Sequence, residues 1–145
     1  MNTDQINKIL RQNVLTAETF LGCAPSDKIP ITDLYPYAVV VNTDDSSRPG
    51  EHWVALYVPS EDTVEYFDSY GDEPNENLSH YIGLFPDVKR SEESLQSLFS
   101  KVCGQYCIYF VIQRCLGRSF DDIVAHLREL INPDFYVARY VSNSL

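Results

Sequence analysis

No stretch of this sequence stays apolar long enough to cross a membrane. Its longest apolar runs, around Tyr37–Val41 and Tyr106–Ile112, fall far short of the roughly 20 residues a spanning helix needs. The polar opening Met1-Asn2-Thr3-Asp4-Gln5 lacks signal-peptide architecture, which points to an intracellular or particle-enclosed protein. Basic residues are scarce as well. Eleven Lys and Arg stand against 21 Asp and Glu, for a formal net charge of −10, and no polybasic run is present. Such a surface repels nucleic acid and argues against direct binding to it. Internal repeats, low-complexity tracts and linkers are also missing, and 145 residues with 44% hydrophobic and 22% charged side chains suit one soluble domain over 1–145. Cysteines are few: Cys23, Cys103, Cys107 and Cys115. Without a secretion signal, reduced thiols are the expectation, and at least one is free for chemistry.

The patterning that is present predicts an α+β fold. Ile6, Ile9 and Leu10 share one face of a short N-terminal helix ending near Asn13. Gly22, Pro25, Pro30 and Pro36 punctuate Phe20–Pro36, and Tyr37–Asn42 then reads as a buried strand, followed by a loop over Thr43–Gly50. His52–Val58 and Thr63–Asp68, rich in β-branched and aromatic residues, flank the turn-like Pro59–Asp62 and predict a hairpin. Pro74–Phe85 has helical spacing up to the breaker Pro86, and a polar stretch, Lys89–Gln96, follows. Cys103–Leu116 has almost no polar face before Gln113, as expected of a helix buried near the centre. Ser119 caps a helix to Leu130, and Asn132-Pro133 opens the last one.

Two polar groups meet if the hairpin closes with a five-residue loop, Val58–Asp62. Tyr57 then pairs with Thr63 and His52 with Asp68, on one face with Cβ atoms about 4.5–5.5 Å apart. Any even slip in register keeps them on that face. A carboxylate so placed fixes the imidazole tautomer and stabilises the imidazolium, as a general base requires. Cys103 opens the most hydrophobic helix, where free amides and the helix dipole favour a thiolate, and a neighbouring imidazolium can bring a cysteine pKa down to about 3.5–7.5. Gly104 leaves room there for a substrate backbone. Cys107, Cys23 and Cys115 read as packing residues. A zinc site drawn from Cys103, Cys107, Cys115 and His126 matches none of the familiar ligand spacings, so no metal is expected.

HWVALYV, then EYFDSYG, then LQSLFSKVCGQYCIYF resembles, in this order, the adenovirus-type (adenain-like) cysteine endopeptidases. The likeness is greatest to the shorter relatives carried by large self-synthesising DNA transposons (Maverick/Polinton) and related viruses. It spans roughly His52–Leu116, and a more distant likeness extends to the proteases of ubiquitin-like modifiers. The resemblance implies a papain-like or adenain-like fold: a central mixed or largely antiparallel sheet packed by helices, with a buried helix carrying the nucleophile. It also implies His52 as general base, Asp68 as its orienting partner, Cys103 as nucleophile, and Gln96, seven residues upstream, as an oxyanion donor. Trp53 is expected to pack beside the catalytic ring, its strand alternation pointing it away from the face of His52. With the loop at Gly104 it would bound a narrow substrate groove.

The implied activity is cleavage of capsid or core precursor proteins after small, Gly-containing sites, in the nucleus or cytoplasm of an infected cell or inside the virion. No cofactor is implied beyond an activating peptide or capsid protein. DNA, an activator of the longer and more basic members, is not expected for this shorter acidic chain, which should act as a monomer without membrane contact. From Pro49 to Val88 there are nine acids and no Lys or Arg, so basic substrates are expected to be favoured. The same residues leave two other readings open: a deconjugase of ubiquitin-like modifiers, and a catalytically silent capsid-binding module. An acetyltransferase built on the same triad would need an acyl-CoA pocket that the sequence does not reveal.

Overall fold

A computed structural model describes residues 1–44, 52–97 and 100–145 of the chain. Most of the loop expected over Thr43–Gly50, together with Glu51, Leu98 and Phe99, lies outside the described residues. The elements run α1 (Thr3–Gln12), β1 (Phe20–Pro25), β2 (Tyr37–Asn42), β3 (Trp53–Ser60), β4 (Thr63–Phe67), α2 (Glu76–Ile82), β5 (Asp87–Arg90), α3 (Cys103–Cys115), α4 (Phe120–Glu129) and α5 (Pro133–Asn143). The strands form one sheet in sequence order. β1/β2 and β4/β5 are parallel, and the central pairs β2/β3 and β3/β4 are antiparallel.

Both faces of the sheet are covered, which explains why β2 and the start of β3 are unbroken apolar runs. Ala38, Val40, Ala55, Tyr57 and Phe67 share one hydrophobic cluster with α3 and with Ile6 and Leu10 of α1. Val39, Val41, Val54, Leu56, Val64 and Tyr66 share the other with Leu78, Tyr81 and Ile82 of α2. Phe67 stacks on Phe110 of α3 at 4.6 Å between centroids. The far end of α3 is fixed by Arg114. Its Nε and Nη2 donate to the two carboxylate oxygens of buried Glu65 in β4 at 2.7 and 3.0 Å, and its guanidinium lies 4.3 Å from the centre of the Tyr57 ring.

Several boundaries differ from the sequence expectation for local reasons. The first helix is capped by Asn2, through a reciprocal pair with Gln5. β1 was hidden among Gly and Pro: its pairing shifts register between Phe20 and Cys23, and Gly22 sits there at φ 121°. β5 is an exposed, polar edge strand with no alternation to mark it. α2 is shorter than Pro74–Phe85, starting after the Asn75 cap and ending at Gly83. The hairpin is tighter than expected, with Ser60 opposite Thr63, and Tyr57 pairs with Glu65 instead of Thr63. That displacement is even, so it leaves facing directions unchanged.

Candidate active site

His52 precedes β3, and its carbonyl accepts the Thr43 N–H at 2.9 Å, one step beyond the last β2/β3 pair, Asn42–Trp53. Asp68 follows β4 and is 2% exposed. The even register displacement still brings the two side chains together: His52 Nε2 and Asp68 Oδ1 are 2.7 Å apart. Oδ1 also accepts the Tyr70 N–H at 2.9 Å, and the Asp68 backbone is held by Ser91, whose hydroxyl accepts its N–H and donates to its carbonyl. The ring of Tyr70 lies against the imidazole at 4.8 Å between centroids. With Nε2 directed at the carboxylate, Nδ1 is the nitrogen left for a second partner.

That partner is Cys103, the first residue of α3. Val102, at the helix N-cap, supplies no side-chain hydrogen bond, so the first amides of α3 remain available to the sulfur. Burial pushes the Cys103 thiol up, but the hydrogen bond from His52, the backbone amides of Trp53 and Gly104, and the charge on the imidazole together bring it below an ordinary thiol. Burial likewise works against a charged His52. Hydrogen bonds and opposing charge from Asp68 and Cys103 outweigh it and raise the imidazole to about 9. The favoured state is therefore thiolate beside imidazolium. The other three cysteines, all free thiols, go the opposite way: burial pushes Cys23 up to about 12, raises Cys115, and puts Cys107 well above the usual thiol range.

Gln96 is 4% exposed and sits on the loop after β5. Its Oε1 accepts the Ser69 hydroxyl at 2.5 Å, and its Nε2 donates to the Ser100 carbonyl, three residues before Cys103, at 3.0 Å. The loop is strapped on both sides. Ser69 O accepts the N–H groups of Leu95 and Gln96, while Asp134 of α5 accepts the Ser97 N–H and the Tyr106 hydroxyl, and that hydroxyl also bonds to Leu95 O.

The expectation of open space at Gly104 needs correction, and Trp53 carries a contact that was not expected. Gly104 is buried, and a Cβ there would lie 3.1 Å from Met1 Cβ and 3.4 Å from Ile6 Cδ1. The missing side chain seats the N-terminal segment and α1; it does not leave an opening for substrate. Trp53 is 7% exposed, packs in the cluster that includes Cys103, and donates its indole N–H to Met1 O at 3.1 Å. Met1 thus contacts both residues that were expected to bound a narrow groove. Ser69, Tyr70 and the Ser100 carbonyl were not singled out from sequence, although the first two lie inside the EYFDSYG motif, directly after the acid. Among the described residues no group of three or more His, Cys, Asp or Glu is placed to hold a metal ion, and no helix is long and apolar enough to span a membrane.

No family model matches the chain. It is similar to a protein of Acanthamoeba polyphaga mimivirus named as a thiol protease, at 28% identity over 87% of this chain and 51% of that one. It is also similar to a cysteine protease of African swine fever virus, at 44% identity over 61% of this chain and 37% of the relative. The chain therefore spans about half, or less, of the length of the curated relatives it matches. Crystal structures of the African swine fever virus protease share its fold, with a TM-score of 0.62 at 18% and 16% identity, covering 86% and 85% of this chain and 61% and 60% of theirs. The adenovirus and transposon likenesses named from the motifs are not among these matches.

Proposed function

We propose that the chain is a cysteine endopeptidase using Cys103, His52 and Asp68 as its triad and Gln96 as an oxyanion donor. One observation carries the reading. Of the four thiols, only Cys103, hydrogen-bonded to the imidazole that Asp68 holds, is biased towards the anion. The relatives named as viral proteases support the same activity.

In this reading the Cys103 thiolate attacks a peptide carbonyl carbon, and the carbonyl electron pair becomes an oxyanion held by Gln96 Nε2 and a backbone amide at the start of α3. The His52 imidazolium gives its proton to the departing amine, and the C–N bond breaks to leave a thioester. His52, now neutral, takes a proton from water as that water attacks the thioester, and the C–S bond then breaks to release the carboxyl product and return Cys103 as thiolate beside the imidazolium. Asp68 holds the ring in the tautomer that serves both steps.

Viral capsid or core precursors are the proposed substrates, in an infected cell or a forming particle, with no metal in the reaction. The preference for small residues at the cleavage site rests on the family resemblance, because the expected groove wall is occupied by Met1. A peptide library with Gly-containing sites, read by mass spectrometry, tests the activity. Cys103→Ala and His52→Ala should abolish cleavage, and Gln96→Ala should lower turnover by about 10²–10³. Wild-type protein whose Cys103 reacts with iodoacetamide no faster than an ordinary thiol would overturn the reading.

A further inference from the structure

Ser69 is 1% exposed and adjoins Asp68, yet the reaction assigns it no task. Its hydroxyl donates to Gln96 Oε1 at 2.5 Å. At the other end of the same amide, Nε2 faces the Ser100 carbonyl, which can only accept. A flipped amide would set its oxygen against that carbonyl oxygen, whereas the Ser69 hydroxyl could turn to accept from either end. The Ser100 carbonyl thus sets the sense of the amide, and the Ser69 hydroxyl tethers its oxygen end. Nε2 carries two N–H bonds; one goes to Ser100, and the other has no partner among the described residues. The Ser100 carbonyl also accepts the Tyr70 hydroxyl at 3.2 Å, which ties this acceptor to the same turn.

We propose that Ser69 is a positioning residue for Gln96: its buried hydroxyl fixes the rotation of the amide so that the unused N–H is already aimed when the oxyanion forms. This rests on reading Gln96 as the oxyanion donor. Without the hydroxyl, Oε1 is a buried acceptor with no partner, and the amide is held at one end only, free to turn about its broad terminal torsion.

The test compares wild type, Ser69→Ala, Gln96→Ala and the double variant on one peptide substrate, with Ser69→Thr restoring the hydroxyl. Ser69→Ala should lower kcat about ten-fold with KM unchanged. It should weaken a peptide aldehyde inhibitor by a similar factor, since the hemithioacetal oxygen occupies the oxyanion position. The rate of Cys103 alkylation by iodoacetamide, which forms no oxyanion, should not move. Adding Ser69→Ala to Gln96→Ala should cost nothing further, and Ser69→Thr should recover turnover. Equal losses in the two backgrounds, a parallel fall in alkylation, no recovery in Ser69→Thr, or a Ser69→Ala chain that no longer folds would each overturn the proposal. If Gln96→Ala keeps full turnover, the oxyanion reading of Gln96 fails and the Ser69 inference fails with it. If Gln96→Ala is impaired and Ser69→Ala is not, only the inference falls.

Discussion

At the scale of single residues, the charge state of the Cys103–His52 pair governs what can be measured. The imidazolium is retained up to about pH 9, while the sulfur sheds its proton below the usual thiol range. Cleavage should therefore fall above about pH 9, where His52 loses the proton needed by the leaving amine. Alkylation of the sulfur needs only its negative charge and should not fall on that limb. Asp68→Asn removes a carboxylate that raises His52, so the alkaline limb should move to lower pH. An unmoved limb would place its origin elsewhere. The linkage to stability has opposite signs for the two partners. The raised His52 contributes fully below its ordinary value of 6.5 and loses that contribution as pH climbs through about 9, whereas the lowered Cys103 gains its contribution as pH rises towards the ordinary thiol value of 9.0, so the two offset and the unfolding free energy measured by chemical denaturation should show little slope from this pair where both are charged.

At the scale of elements, four consecutive residues after β4 do most of the assembly. Asp68 orients the imidazole, Ser69 holds Gln96, Tyr70 covers the imidazole, and Gly71 turns the chain back with its N–H on Asp68 O at 2.9 Å. Gly71 has φ of 68°, and a Cβ there would meet the Glu93 backbone at 2.6 Å, so no side chain fits without moving the loop that leads to Gln96. Gly71→Ala should cost roughly 2–3 kcal/mol in chemical denaturation, with cleavage reduced more than alkylation. Much of this was legible in the sequence. Alternation in β3 and β4 set the shared face of His52 and Asp68, and the apolar run from Cys103 announced a buried helix. What was hidden depends on contacts between distant segments. The strap from Asp134 and Tyr106 to the Gln96 loop joins three separate elements, and the meeting of Met1 with Gly104 and Trp53 leaves no trace in local spacing. β5, polar and exposed, carries no periodic signal because its burial is slight.

Over the whole molecule, the formal charge of −10 is unevenly used. Of the nine acids between Pro49 and Val88, Asp68 and Glu65 are buried against His52 and Arg114, whereas Asp72 and Glu73 stand exposed just beyond the Asp68–Gly71 turn. The field of those exposed carboxylates should favour basic peptides, and their advantage over matched neutral peptides should shrink as ionic strength rises and the screening length drops to about 8 Å at physiological salt. A basic-to-neutral ratio of kcat/KM that is flat from low to high salt would count against this.

The central helix is held at both ends, by amides around the sulfur at one and by the Arg114–Glu65 pair at the other. A residue inserted between those anchors would rotate one end by about 100° and advance it about 1.5 Å relative to the other. Either the sulfur would swing away from the ring or the guanidinium would leave its carboxylate. Homologues of different length should accordingly keep this thirteen-residue segment free of insertions and deletions and place them in the turns on either side.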